Sequence, residues 1–172
     1  SHRAGLPAVF EPLVPEALYD WQRMIAAVEN TAPWWTPGSA HGYAPMTYGW
    51  LVGELIRRVD GCEPGTAIAQ RITRPLQLEL YLGLSEHELP LVGDVMRMKG
   101  ALTDPAALRL MQAMGKAPQG MSAKAFANPP SMMTSTNKLE WRQMQQPAAN
   151  MHGTARGLAG FYTGLLQNKL LD

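Results

Sequence analysis

The chain has 172 residues, enough for one domain with a buried core. A net charge of +1 with 17% charged residues leaves no electrostatic footprint for nucleic acid, and 46% hydrophobic residues exclude a disordered chain. Cys62 is the one cysteine, so no internal disulfide is available, and no apolar run approaches the roughly eighteen residues of a membrane span.

In chain order, Phe10-Glu-Pro-Leu-Val-Pro15 reads as extended and proline-spaced. Pro15 can open a helix through Asn30, with Leu18, Trp21, Ile25 and Val28 as its apolar stripe. Thr31 to Gly42 is loop. Behind Pro45, placed where a first-turn proline is tolerated, Leu51, Val52, Leu55, Ile56 and Val59 recur at helical spacing, with Glu54, Arg57 and Arg58 opposite. Gly61 supplies the stop.

Pro64 to Ile72 reads as a short helix, and Leu78 to Leu82 is the best strand candidate. Ser85 and Glu88 have capping-box spacing for a helix through about Lys99, weakened by Pro90 and Gly93. Asp104-Pro105 should cap a helix through Met114 that carries Leu108, Met111 and Met114; Met111 and Met114 are expected in the core. Gly115 to Thr136 is Gly/Pro-rich and Met-dotted, a long loop or lid. A final helix is expected over about Thr154 to Asn168, with Leu158, Phe161, Tyr162 and Leu165 inward. Helical pattern dominates throughout, so the fold class is mainly α.

Three stretches carry a resemblance. Pro37-Gly-Ser-Ala-His-Gly-Tyr43-Ala-Pro45, with Tyr48-Gly-Trp-Leu-Val-Gly-Glu54 behind it, resembles the second motif of the β-lactamase-like serine hydrolases. These include class C β-lactamases, penicillin-binding peptidases and the carboxylesterases of β-lactamase fold; the esterase branch is the more similar. Ser1-His-Arg-Ala-Gly-Leu-Pro7 resembles the family's Ser-His-x-Ser-Gly-Leu-Pro segment, and Pro147-Ala-Ala-Asn-Met-His-Gly-Thr-Ala-Arg156 its Pro-Ala-x-Asn-Gly-x-Gly-Thr-Ala-Arg segment.

The resemblance implies that residues 1–172 form a single partial domain, the helical subdomain inserted into an α/β domain. It also implies that the nucleophilic Ser-x-x-Lys and a later His-x-Gly or Lys-Thr-Gly strand lie outside this chain. Ser135-Thr-Asn-Lys138 matches the first pattern but follows Pro129-Pro130 and comes after Tyr43 in chain order, so it reads as accidental.

Within the family the motif tyrosine, here Tyr43, works with the lysine to deprotonate the serine and then returns a proton to the leaving group. A phenol becomes a useful base only if its pKa drops by roughly three units, about 4 kcal/mol. A helix N-terminus supplies up to about 2 kcal/mol. The rest has to come from cations outside this chain, so Tyr43 alone is expected to be an ordinary phenol.

Pro45 stands where class C enzymes carry an asparagine that donates to the substrate carbonyl; without that donor, esters are favoured over β-lactams. Trp34 and Trp35 can wall an acyl pocket or pin their loop, and His41 can touch substrate or be a surface histidine. No histidine or cysteine spacing suggests a metal, and no glycine-rich phosphate loop follows a strand, so no cofactor is expected.

The implied activity is a carboxylesterase-type serine hydrolase acting through an acyl-enzyme, inert without the remainder of the parent hydrolase. The implied substrate is a small-molecule ester or, failing that, a β-lactam. A β-lactamase, a D-amino-acid peptidase, or a non-catalytic peptidoglycan- or partner-binding module of the same fold is the alternative. An apolar face left bare by excision should make the fragment self-associate or swap segments. Compartment stays open, with the cytoplasm placed ahead of the periplasm or secretion.

Overall fold

A computed structural model describes residues 2–96, 100, 103–130 and 134–170. The helices are α1 (Trp21–Glu29), α2 (Thr47–Asp60), α3 (Pro64–Ile68), α4 (Pro105–Lys116), α5 (Met121–Ala127), α6 (Leu139–Gln143) and α7 (Ala155–Leu166). Strands β1 (Leu80–Leu82) and β2 (Met151–Gly153) pair antiparallel, with Tyr81 opposite His152. The described residues are mainly helical.

The helix expected from Pro15 breaks in two. Pro15–Tyr19 winds as a 3₁₀ turn, and Asp20 adopts an extended backbone so that its carboxylate accepts from Arg23 N–H at 3.0 Å. A side chain that caps competes with continued helix at its own position, and here the cap wins. From α1, Met24, Ile25, Ala27 and Val28 enter the core, where they meet Val9, Leu13, Leu18, Trp50 and Trp141.

Helix α2 turns differently from the expected orientation. Thr47, Gly49, Trp50 and Gly53 face inward, while Leu51, Leu55 and Val59 are exposed and Val52 and Ile56 half-buried. The glycines let the backbone close on its neighbours: a Cβ on Gly53 would lie 2.5 Å from the Trp21 ring. Pro45 sits in the turn before the helix, not in its first turn. The stop falls where expected, Gly61 having φ +66° and donating to the Arg57 carbonyl at 3.0 Å.

Helix α7 repeats the pattern. Thr154 caps it by accepting from Gly157 N–H at 2.9 Å. Gly157 and Gly164 are the buried residues, set against the backbone of Glu79 and the side chain of Leu76. Leu158 and Tyr162, expected inward, are exposed, and Phe161 and Leu165 are half-buried. Small residues win the inner face because they allow contact at backbone distance.

Asp104 caps α4 as expected, accepting from Ala107 N–H at 2.7 Å, but the helix buries nothing. Met111 is exposed and Met114 half-buried, so neither belongs to the core. The Ser85–Glu88 box forms, Ser85 N–H donating to Glu88 Oε2 at 2.9 Å, yet only a 3₁₀ turn, Leu89–Leu91, follows. The expected end of that helix at Lys99 lies outside the described residues. The stretch expected as a loop or lid contains α5, anchored by Asn128, whose side-chain amide donates to the carbonyls of Val9 and Glu11 and accepts from Leu13 N–H.

Candidate functional site

The Tyr43 loop is laced along the first residues of the chain. Trp34 N–H donates to the Gly5 carbonyl at 2.7 Å, Gly38 N–H to Arg3 at 2.9 Å, and Gly42 N–H to His2 at 3.1 Å. Where the loop turns into α2, Thr47 Oγ1 donates to the Leu6 carbonyl at 2.5 Å. Backbone groups of both segments are thereby satisfied without either being a strand.

Trp34 stacks on Phe10 at 4.0 Å between ring centroids, and its indole N–H donates to the Ala8 carbonyl at 2.9 Å. The Trp35 ring lies under Gly42, where a Cβ would come within 2.4 Å of it. Both tryptophans are half-buried and both fasten this loop. Pro45 is buried in the following turn.

Held this way, Tyr43 stands 60% exposed, four residues ahead of α2. An aromatic cluster surrounds it. The His2 ring packs edge-on to Tyr43 at 5.1 Å and to His41 at 6.0 Å and lies tilted against Tyr48 at 5.3 Å, while Phe126 of α5 approaches Tyr43 at 6.3 Å. His2 Nδ1 also accepts from Ala44 N–H at 3.2 Å. A cleft of about 170 Å³ opens beside the cluster, lined by His2, Ala44, Tyr48, Leu51 and Val52 among others. His2 belongs to a segment quoted for its motif, but nothing in local spacing places it against a tyrosine 41 residues away. Phe126 carries no sequence signal at all.

Ser135 is fully buried, and its carbonyl accepts from Lys138 N–H at 2.8 Å in the turn leading to α6. Its hydroxyl is closed off from solvent. Larger cavities lie elsewhere, one of about 500 Å³ bordered by Arg142, His152 and Tyr81, away from every residue singled out around Tyr43. There, burial pushes the His152 imidazole below its usual value, the Asn150 backbone opposes the shift, and the Arg142 charge adds to it. Arg142 itself is held by Asp94 at 2.7 Å. Among the described residues, no group of three or more His, Cys, Asp or Glu side chains is arranged to hold a metal ion, and no helix is long and apolar enough to cross a membrane.

Comparisons bear on the whole chain. The family model described as Beta-lactamase matches residues 1–172. A novel penicillin-binding protein homolog from Caulobacter crescentus is 36% identical, superposes with a TM-score of 0.77, and is matched over 100% of this chain and 43% of its own. EstA from Arthrobacter nitroguajacolicus Rue61a is 27% identical with a TM-score of 0.73, over 95% of this chain and 42% of its own. D-amino acid amidase from Ochrobactrum anthropi SV3, solved with D-phenylalanine, shares the fold at 19% identity and a TM-score of 0.57, over 99% of this chain and 44% of its own. The chain therefore spans less than half the length of these structures. Among curated proteins, none matches.

Proposed function

The chain belongs to the β-lactamase family, a hydrolase fold, and from that premise we propose that it is the helical part of a serine carboxylesterase in which Tyr43 is general base and acid. The carrying observation is Tyr43 itself: an exposed phenol on a loop hydrogen-bonded along its length to residues 2–8, with aromatic rings on two sides. General base catalysis needs the accepting oxygen held within hydrogen-bond reach of the proton it takes, and a loop backbone fastened in this way supports the reading.

The serine and lysine are supplied from outside these residues, since Ser135 is buried. Tyr43, as phenolate beside the lysine, takes the serine proton while the serine oxygen bonds to the ester carbonyl carbon. As the tetrahedral species collapses, the carbon–alkoxide bond breaks and Tyr43 returns the proton to the departing alcohol. Water then attacks the acyl-enzyme in the same manner, releasing the acid and restoring the serine. Pro45 offers no side-chain donor beside the carbonyl, which favours esters over β-lactams. The likeness to EstA supports this choice.

The test is an assay of the protein at its full natural length, on a short-chain alkyl ester beside a chromogenic cephalosporin. Ester hydrolysis is expected to exceed cephalosporin hydrolysis, and Tyr43→Phe to lower kcat by about 10²-fold or more. Undiminished ester turnover by Tyr43→Phe rejects the role of Tyr43; faster turnover of the cephalosporin rejects the esterase reading.

A further inference from the structure

We propose that His2 is a positioning residue for Tyr43, an inference that rests on the catalytic reading of that tyrosine. His2 grips the backbone on both sides of it. Its carbonyl accepts from Gly42 N–H at 3.1 Å, and its Nδ1 accepts from Ala44 N–H at 3.2 Å. Between these two bonds the imidazole lies edge-on to the Tyr43 ring, at 5.1 Å and 73°. One residue thus fixes the path of the chain into Tyr43, the path out of it, and one wall for the ring.

His2 adopts a φ of +53°, a left-handed conformation uncommon outside glycine, although histidine enters it more readily than most residues, as asparagine and aspartate do. Such a conformation persists where its surroundings over-determine it, and here the paired bonds and the neighbouring Tyr48 ring at 5.3 Å do so. The ring chemistry is specific as well. A nitrogen that accepts from a backbone N–H carries no proton, so the imidazole proton resides on Nε2. An aliphatic residue of similar size fills the space but leaves the Ala44 N–H without its acceptor. The consequence falls on the tyrosine, because a displacement of about 1 Å in a catalytic group lowers turnover by about 10²-fold.

Two side-chain amides separate the roles of the ring atoms. Asparagine at position 2 places an oxygen where Nδ1 stands; glutamine places one nearer Nε2. In the protein at its full natural length, His2→Ala and His2→Gln are expected to lower kcat on an alkyl ester by about 10²-fold with KM little changed, and His2→Asn to regain most of the loss. Equal impairment of all three variants, or kcat unaffected by His2→Ala, overturns the proposal. A second measurement needs no variant to fold. In uniformly ¹⁵N-labelled, unsubstituted protein, a coupling across the hydrogen bond is expected between His2 Nδ1 and the Ala44 amide nitrogen, with the proton on Nε2; a proton on Nδ1 and no coupling also overturns the proposal. Should Tyr43→Phe leave hydrolysis intact while the coupling is present, the catalytic reading of Tyr43 fails and the contact itself stands.

Discussion

The indole N–H of Trp21 donates to Glu54 Oε2 at 2.8 Å, joining α1 to α2 across the edge of the core. The same tryptophan packs edge-on against buried Trp50 at 4.8 Å, and the Arg57 guanidinium lies 5.1 Å from its ring. Glu54 also accepts from Arg58 at 2.8 Å. One carboxylate therefore ties an aromatic anchor to two cations at the helix–helix seam.

That arrangement has a pH signature. The Trp21 hydrogen bond, aided by Arg58 and Arg57 against the opposing effect of desolvation, holds the Glu54 carboxyl below its ordinary value of 4.5. A depressed carboxylate stabilises the fold above the unfolded value, and the contribution disappears as pH falls below 4.5 and through the folded value. Glu54→Gln should lower stability at neutral pH by about 1 kcal/mol, and the difference should vanish in acid. Urea denaturation midpoints measured from pH 7 to pH 3 for both proteins check this; an equal gap at every pH refutes it.

His152 opens a second acid limb at higher pH. Its imidazole is pushed below the usual 6.5, so the unfolded chain takes up a proton before the folded one does. The sign follows: the neutral ring contributes fully above 6.5, and stability declines as pH falls from there toward the folded value. His152→Asn should flatten the stability profile just below pH 6.5 and leave the Glu54 limb in place. Differential scanning calorimetry across that range reads the change.

Gly49 is the tightest point of α2. A Cβ there would lie 2.1 Å from Gln146 Oε1 and 2.7 Å from Ala148 N. Gln146 is fully buried and uses its amide to donate to the Met46 carbonyl and accept from Ala148 N–H. Alanine gains about 0.5–1 kcal/mol in helix propensity, against about 1–3 kcal/mol of overpacking and the loss of buried hydrogen bonds. Gly49→Ala should thus destabilise by about 2 kcal/mol or more. Combined with Gln146→Ala, the loss should be less than the sum of the single losses, because the contact with the Gln146 side chain is removed and only the one with the Ala148 backbone nitrogen is left.

The outward face of α2 bears Leu55 at 61% exposure and Val59 at 74%, beside exposed Leu51 and Tyr48. Apolar side chains grouped on one helix face favour association in water. We expect the 172-residue chain to self-associate at high concentration, and Leu55→Lys with Val59→Lys to shift it toward monomer. Light scattering that finds the unsubstituted chain monomeric throughout refutes the expectation.

Much of the local architecture was legible in the residues. Asp104 caps α4, Gly61 ends α2, α7 begins beside Thr154, and the strand Leu80–Leu82 falls within the expected Leu78 to Leu82, because each depends on a few neighbouring positions. The motif around Tyr43 likewise pointed to its family from adjacent residues alone. The inner face of a helix was not legible by hydrophobicity. Leu51, Leu55, Val59, Leu158 and Tyr162 form apolar stripes that face outward, while Gly49, Gly53, Gly157 and Gly164 face the interior.

The sequence by itself determined the mainly helical character, the caps and stops, and the membership signalled by three spaced motifs. Tertiary structure alone decided that glycines would seat α2 and α7, that Gln146 and Asn150 would be buried, and that His2 would bracket Tyr43. The division has a physical cause. Capping and turn energies act within a few residues and are written in adjacent letters. Close backbone approach and a clasp such as Ala44 N–H to His2 Nδ1, spanning 42 positions, exist only once distant segments have packed against each other.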